Sequence, residues 1–458
     1  MTKKTRLIIL LACIACFFAI TPVLVFYAMG ERFDFKKMKI VATGGIYVRS
    51  FPAADQITID SKISQKPGFL SNWVFVQSLL PQDHTVSVTK SDYYDYFKTI
   101  PVKEKEVTKL ENVLLIKKSI LFPSLSKEID YFSVATNNQN IITLVNNAKN
   151  ITLEYSPLSG NNPIQTLSIS QIGKIMGVKW SNDSSRALIE IQGYSNTFYY
   201  LFDSTTKEAT VTRLSYLDKT TQQISFNPNN SKEIFFIKSK TLYFTKDNKT
   251  TSIIKNPITY KFSGNNIVWL STDGLLYSAD TAGKSVNQLT KEKAVSSPTL
   301  NYQIFVLPGK MLLQADNSLF LVNQDTKSLE NITPPLTDYK IIDSQDENKN
   351  LNLVLWNNDK IYLYSFSDTL IGPAKKFNKI FSGSNIKNCQ WLNNSYIIFT
   401  EGDKIIISEI DYRGNINAIT LPQTENIKSD LKIYFNQQDG KIYILTNNNL
   451  LVSDKITP

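Results

Sequence analysis

Short apolar runs separated by polar turn residues recur along most of the chain. The clearest unit begins at Lys174 and contains four such runs, of which the last three are Ala187–Ile191, Phe198–Phe202 and Ala209–Leu214. Because no helical spacing of apolar positions lies between them, each run is predicted to be a short β-strand. Four strands cannot bury their apolar face alone. The pattern therefore favours units of about 40 residues that stack radially as a β-propeller.

The third run of this unit has counterparts along the chain, and their number sets the expected number of blades. Eight apolar triplets are spaced 34 to 48 residues apart, which is the length of a propeller blade. We predict an all-β propeller in residues 117–458 with about eight blades, or with seven blades and one irregular unit. The last unit stops soon after its third strand, so its outer strand is expected near 116–125, closing the ring. The triplets begin at Ile151, Tyr199, Leu242, Leu276, Leu319, Ile361, Ile405 and Leu450.

A long apolar segment lies at the N-terminus. Residues 7–29 carry no charge and follow a basic tail, residues 1–6; about 20 apolar residues suffice to span a bilayer as a helix. A cleaved signal peptide would have a shorter apolar region followed by a cleavage site, and none follows. Leu10–Cys13 resembles a lipoprotein processing site, but the apolar run continues past it. We predict one transmembrane helix at 7–29, in contact with the bilayer, and a linker at 30–42.

Basic residues flank this segment on both sides, so the positive-inside count is close to a tie. A short tail before an N-terminal apolar segment is typical of an uncleaved signal. We therefore expect residues 1–6 in the cytoplasm and the rest of the chain outside it. The flanking basic residues are Lys3, Lys4 and Arg6 before the segment, and Arg32, Lys36, Lys37 and Lys39 after it.

A compact β-domain is predicted between the linker and the propeller, in residues 43–116. Thr85–Lys90 shows the cleanest two-residue alternation in the chain. Further strands are expected at Gly45–Ser50, Gln56–Asp60, Tyr96–Ile100 and Val113–Ile116.

The turns of this stretch resemble those of the PEGA domain. The correspondence runs through Ser50–Ala54 before Ile57–Asp60, then Lys66–Leu70, Leu80–Val86 and Lys90–Tyr93, although Ala53–Asp55 replaces the Glu-Gly-Ala of that family. The resemblance implies a small β-sandwich-like module of bacterial and archaeal cell envelopes. Such a module is usually tethered, and the resemblance implies no chemistry.

Two stretches of the repeat region resemble the first-strand turn of TolB-like, WD40-like repeats. Trp180–Arg186 and Gln390–Asn394 each place a tryptophan before a short polar turn and an apolar strand. This second resemblance implies the propeller fold and no particular function.

Composition excludes more than it suggests. The 458 residues carry a formal charge of +10, but apart from the N-terminal tail no basic run stands out, so nucleic acid is not an expected partner. Cys13 and Cys16 lie in the apolar segment, leaving Cys389 alone in the folded part, and His84 is the single histidine. These counts exclude a disulfide and a cysteine zinc cluster in the folded part, and any Ser-His-Asp triad would have to use His84.

Aromatic clusters have a structural interpretation as well as a binding one. Tyr93, Tyr94, Tyr96 and Phe97 would suit a stacking platform for sugar or peptide, but core packing of the small domain is the favoured interpretation. For Trp73–Val76 a buried strand is favoured over an exposed apolar patch. Packing between blades accounts for the four tryptophans that lie at or next to strand starts: Trp180, Trp269, Trp356 and Trp391.

The acidic residues and the histidine receive similar structural interpretations. Asp203, Asp280 and Asp325 follow third strands, where aspartate begins tight turns, while Asp343–Glu347 is expected to be a solvated loop. His84 is expected to be a turn residue. No calcium-loop pattern occurs. We assign no catalytic, metal or cofactor-binding residue, and the residues that bind a partner remain unknown.

The sequence therefore predicts a single-pass, membrane-anchored envelope protein without catalytic activity. The propeller surface would bind a partner protein or a cell-wall polymer, because a rigid ring presents many loops on one surface. Two alternatives remain. A propeller enzyme acting on an envelope carbohydrate would need carboxylates from several blades to converge on the channel. A polyanion-binding protein would need its positive charge gathered on one face.

Overall fold

The structure, a computed structural model, describes residues 3–34, 38–158, 164–247, 249–294, 301–345, 351–366, 377–422 and 431–457, without the side chains of residues 3, 23 and 343–345. The chain divides into two compact units. Residues 1–120, 406–422 and 455–458 form the first unit, and residues 121–405 and 423–454 form the second. The predicted boundary at 116/117 lies close to this division. The segment 406–422, expected within the propeller, is grouped with the small domain instead.

The described part of the chain contains one helix, α1 (Lys3–Ala28). From Leu7 to Ala28 it carries no charged residue, and it is long and apolar enough to cross a membrane. A hairpin of β1 (Glu31–Asp34) and β2 (Lys39–Ala42) occupies the stretch that was expected to be a linker.

A small β-domain of two sheets follows the hairpin. One sheet has the order β6-β3-β9, with β3 and β9 parallel, and the other has the order β5-β4-β7-β8. Alternate residues of the strands form the core between the sheets, among them Ile46, Ile57 and Val86. The strands are β3 (Gly44–Phe51), β4 (Gln56–Ile59), β5 (Ile63–Gln65), β6 (Trp73–Leu79), β7 (Asp83–Thr89), β8 (Tyr96–Pro101) and β9 (Val107–Leu114).

The remaining strands form eight four-stranded antiparallel sheets within the described part of the chain, the arrangement of a β-propeller. The first four comprise β11 (Tyr131–Val134), β12 (Asn140–Asn146), β13 (Ile151–Pro157), β14 (Gln165–Ile169); β15 (Lys174–Trp180), β16 (Arg186–Gln192), β17 (Thr197–Asp203), β18 (Thr210–Arg213); β19 (Gln222–Asn227), β20 (Asn230–Lys238), β21 (Thr241–Lys246), β22 (Lys249–Lys255); and β23 (Pro257–Ser263), β24 (Asn266–Ser271), β25 (Leu276–Asp280), β26 (Asn287–Gln288).

The other four sheets complete the set. They comprise β27 (Tyr302–Leu307), β28 (Lys310–Ala315), β29 (Ser318–Asn323), β30 (Ser328–Asn331); β31 (Lys340–Gln345), β32 (Leu351–Trp356), β33 (Lys360–Ser365), β34 (Phe377–Ser382); β35 (Ile386–Asn393), β36 (Tyr396–Glu401), β37 (Lys404–Glu409), β38 (Ala418–Thr420); and β39 (Lys432–Asn436), β40 (Lys441–Thr446), β41 (Asn449–Val452) with β10 (Ser124–Lys127). All eight predicted triplets lie in the third strands of their sheets.

The eighth sheet takes its outer strand from the beginning of the repeat region. Strand β10 pairs antiparallel with β41, with Ser124 opposite Leu451 and Lys127 opposite Asn449. The closing strand therefore lies a few residues later than the predicted 116–125. Because the first and last parts of the region share one sheet, neither is left as an open edge.

Apolar clusters between neighbouring sheets form the core of this unit. Phe235 of the third sheet packs with Trp269 of the fourth. Phe132 of the first sheet packs with Tyr443 and Leu450 of the eighth. A blade of four strands has two apolar faces to cover, and its neighbours cover both.

Candidate functional site

A buried charged cluster lies in the first unit, between strand β8 and the segment 406–422. Tyr96, Lys98 and Ile100 alternate along β8 and all three are buried. Lys98 is completely inaccessible to solvent, and its Nζ lies 2.6 Å from Oε1 of Glu409. The Nζ also donates to the carbonyl oxygens of Asp411 at 2.7 Å and Asn415 at 2.9 Å.

All three donors of Lys98 and both carboxylate oxygens of Glu409 have hydrogen-bond partners. An ammonium group has three donors, and those of Lys98 are used by Glu409, Asp411 and Asn415. Glu409 Oε1 also accepts from the backbone and side-chain amides of Asn417, and its Oε2 accepts from the hydroxyl of Tyr96 at 2.9 Å. The arrangement leaves neither a free carboxylate for a general base nor a free amine for a nucleophile. Its role is to fix the segment 406–422 to β8.

Asn415 extends this contact along the open edge of the sheet. Its Oδ1 accepts from the backbone amide of Thr99 at 2.9 Å, and its Nδ2 donates to the backbone carbonyl of Phe97 at 2.7 Å. One side-chain amide therefore satisfies a donor and an acceptor that a neighbouring strand would otherwise take. Capping an edge in this way prevents it from pairing with another chain.

A tight turn presents these groups to β8. Nε and Nη2 of Arg413 bond the carboxylate of Asp411, and Nη2 also donates to the carbonyl of Lys109 at 2.9 Å. The neighbouring carboxylates of Asp411 and Glu409 raise the pKa of Arg413, although its burial acts in the opposite direction. Gly414 has a φ of +59° at this point, and a Cβ there would collide with the carbonyl oxygen of Thr99.

The cluster was not predicted from the sequence, although β8 contains one signal of it. A lysine at the buried phase of an alternating strand requires a buried partner. The partner lies 311 residues further along the chain, so no local pattern identifies it.

The predicted aromatic group divides between core and surface. Tyr96 is buried in the core of the small domain, and the half-buried Tyr93 packs against that core. Phe97 is 49% exposed. The packing interpretation is therefore confirmed for Tyr93 and Tyr96. It is also confirmed for Val74 and Val76, which are buried in β6, while Trp73 stacks on Tyr47 at the surface.

His84 is buried in strand β7 and is not a turn residue as expected. Its Nδ1 lies 2.6 Å from Oδ2 of Asp60, and its Nε2 lies 2.8 Å from the carbonyl oxygen of Leu80. Both ring nitrogens therefore have an oxygen within hydrogen-bond distance. The second carboxylate oxygen of Asp60 accepts from the amide of Thr85. The pair thus secures a turn in which Asp60 and Ser61 have positive φ.

Tryptophans of the propeller region pack between sheets, as predicted for Trp180 and Trp269. Nε1 of Trp180 donates to Oγ of Ser133 in the preceding sheet at 3.2 Å. Trp269 is buried and stacks on Tyr277. Trp356 is buried as well, and Trp391 is partly buried in β35.

The aspartates that follow third strands act mainly in turns. Asp203 accepts from Thr205 and forms an ion pair with Arg186 at 2.7 Å, and these bonds lower its pKa although burial opposes them. Asp280 accepts from the amides of Ala282 and Lys284. For the third predicted aspartate, Asp325, the turn instead begins at Asn323, whose side chain accepts from the backbone amide of Asp325. Asp343 lies in β31, so at that point the expected loop is a strand; Asp346 and Glu347 lie outside the described residues.

The first strands of the eight sheets lie at the inner side of the propeller, since several successive ones contact each other. None of their described side chains is a carboxylate; Asp343 is acidic, but its side chain is not described. Two catalytic carboxylates from different first strands, as the carbohydrate enzyme would need, are therefore not found there. These strands do carry six lysines: Lys174, Lys179, Lys261, Lys340, Lys387 and Lys432.

Two of these lysines connect neighbouring sheets. Nζ of Lys432 donates to the carbonyl of Phe132 at 2.8 Å and lies 3.3 Å from the centre of the Tyr131 ring. Burial lowers the pKa of Lys432 to about 8. Nζ of Lys179 reaches the carbonyl of Ile224 at 3.3 Å. Five of the six lysines are exposed: Lys174, Lys179, Lys261, Lys340 and Lys387.

Among the described side chains, no group of three or more His, Cys, Asp or Glu could hold a metal ion. Cys389 is buried, and its burial raises the pKa of the thiol.

Comparison with known proteins gives a likeness only at the level of solved structures. No protein-family model and no curated protein matches the chain. YCF48 from Cyanidioschyzon merolae has a TM-score of 0.40 at 12% identity, covering 61% of this chain and 94% of its own. The computationally designed Ika8 protein has a TM-score of 0.44 at 10% identity, covering 73% of this chain and 98% of its own. Hsv2 from Kluyveromyces lactis has a TM-score of 0.40 at 12% identity, covering 65% of this chain and 98% of its own. Scores at this level carry no functional argument, and the propeller assignment rests on the strand pairing.

Proposed function

We propose that this protein is a membrane-anchored binding scaffold of a bacterial cell envelope, with no catalytic role. Helix α1 would anchor it, the small domain would be a PEGA-like spacer, and the TolB-like, WD40-like propeller would be the binding surface outside the cytoplasm. The saturated Lys98–Glu409 cluster supports a structural role for the small domain, because it offers no reactive group.

The observation that carries the proposal is the charge of the propeller's first strands. They bring six lysines and no described carboxylate to the inner side, and five of these lysines are exposed. Clustered positive charge of this kind attracts anions. Of the two partner classes, an anionic envelope polymer is therefore favoured over a protein.

Co-sedimentation of the full-length protein in detergent with washed cell-wall material tests this function. We expect saturable pelleting that weakens when Lys174, Lys261 and Lys387 are all replaced by Gln. A matched variant replaces Lys62, Lys66 and Lys118 of the small domain, which are also exposed, and should bind like the wild type.

Equal losses in the two triple variants would show general charge attraction and would contradict a propeller site. Absence of pelleting would reject the wall polymer, and crosslinking in membranes would then test for a protein partner.

A further inference from the structure

The hairpin β1–β2 presents an apolar face next to the proposed membrane anchor. Phe33 and Ile40 are paired across the two strands, so their side chains lie on the same face. They are 43% and 46% exposed, and Met38, directly before β2, is 72% exposed. The opposite face carries Val41 and Asp34, both of which are buried. The apolar residues thus lie on the outer face of the hairpin.

Hydrogen bonds hold this hairpin at the end of α1. Both the backbone amide and the hydroxyl of Thr43, which follows β2, donate to the carbonyl oxygen of Gly30, at 2.9 and 2.6 Å. The guanidinium of Arg32 lies 3.5 Å from the centre of the Tyr27 ring, and its Nη1 donates to the carbonyl of Tyr27. The chain therefore leaves the helix, forms the hairpin, and returns to the same point.

We infer that this hairpin lies in the bilayer interface, with Phe33, Met38 and Ile40 against the lipid beside the helix. The inference rests on the proposed membrane anchor. From Leu7 onward the side chains described in α1 are uncharged, predominantly apolar and mostly exposed, so the lipid that surrounds the helix continues to the hairpin bonded to its end. A tyrosine and an arginine at this level match the aromatic and basic groups that concentrate where hydrocarbon meets headgroups. The exposed Lys39 would reach anionic headgroups.

The geometry of strand β3 provides an aqueous control position. β3 begins at Gly44, beside the hairpin, where it pairs with Leu79, and near its other end Arg49 pairs with Trp73. Phe69 lies in the loop before Trp73 and so belongs to the end of the small domain that is remote from the helix. Its side chain is 101% exposed. An exposed aromatic residue alone does not imply lipid contact, and Phe69 tests that distinction.

Fluorescence quenching in vesicles tests the inference with the full-length chain. With Cys13 and Cys16 replaced by Ser and the buried Cys389 by Ala, single cysteines at Phe18, Phe33, Ile40 or Phe69 would carry an environment-sensitive dye. The vesicles would contain phosphatidylcholine and phosphatidylglycerol with quenchers on the lipid chains or, separately, iodide in the water. We expect lipid quenching at Phe18, quenching by shallow lipid labels with protection from iodide at Phe33 and Ile40, and full iodide access at Phe69.

The outcomes separate the two proposals. If Phe18 is quenched by lipid while Phe33 and Ile40 are as open to iodide as Phe69, the anchor stands and the interfacial hairpin is wrong. If the dye at Phe18 is open to iodide, the anchor itself fails.

Discussion

Replacing Lys98 by methionine tests whether the buried cluster fixes the segment 406–422 to the small domain. Methionine keeps most of the side-chain volume but removes the charge, leaving the 4%-exposed carboxylate of Glu409 without its cation. Breaking a buried ion pair by removing one partner costs about 3–5 kcal/mol. Because about 1.4 kcal/mol corresponds to a factor of ten, the segment should detach roughly two to three and a half powers of ten more often.

Hydrogen exchange on the full-length protein in detergent measures this opening. The amide of Thr99, which donates to Asn415, and the amide of Asn417, which donates to Glu409, report it directly. Lys103→Met is the matched control. Its ion pair with Glu106 spans 3.7 Å between side chains that are 68% and 62% exposed, and such pairs contribute only about 0–1 kcal/mol.

A double variant, Lys98→Met with Glu409→Met, separates lost charge pairing from general damage. Without an unpaired carboxylate the double variant should regain much of the protection lost in the single variant. If Lys98→Met exchanges like Lys103→Met at both amides, the cluster does not hold the segment and the reasoning is wrong.

Three further predictions concern the turn at 414, the ring closure and Lys432. Gly414→Ala should speed hydrogen exchange in the segment 406–422 more than Gly402→Ala speeds it in the turn at 402. Both glycines have φ near +60°, but only at 414 would the added methyl group collide with Thr99. Equal increases in exchange in the two variants would contradict this. Phe132 is 1% exposed and packs between the first and eighth sheets, so Phe132→Ala should lower the free energy of unfolding in urea by about 3–5 kcal/mol. Leu125 is 50% exposed, and Leu125→Ala should lower it little. Similar urea midpoints for the two variants would refute the closing contact. Burial lowers the pKa of Lys432 in the folded protein to about 8, from the ordinary lysine value of 10.5. Between these two pH values the unfolded chain binds more protons, so stability should rise with pH. A Lys432→Met variant whose stability has the same pH dependence as the wild type would contradict this reasoning.

Local patterns predicted the repeated sheets because the physical cause of each strand is local. Two-residue alternation and turn chemistry act over a few residues, and each third strand repeats them, from Ile151 to Leu450. The position of β10 was displaced by a few residues, because strand ends depend on pairing with β41, which sequence alone does not fix.

Long-range contacts were not predicted. The partner of Lys98 lies far along the chain, and the grouping of 406–422 with the small domain depends on it. His84 was expected in a turn because it directly precedes the strand predicted to begin at Thr85, yet the strand begins at Asp83 and the His84 side chain points inward to Asp60. Lys98 and His84 each place a polar side chain at a strand position that faces the core. That position indicates a buried partner, but the neighbouring residues do not identify it.

The separation of Lys98 and Glu409 by 311 residues also imposes an order in time. Ribosomes add roughly 5–20 residues per second, so roughly 15 to 60 seconds pass between the synthesis of β8 and that of its cap. During this interval the edge strand β8 has no cap, and Lys98 has no carboxylate partner. A late part of the chain therefore completes one of the early parts, and a chain cut short before residue 409 would leave the small domain without its cap.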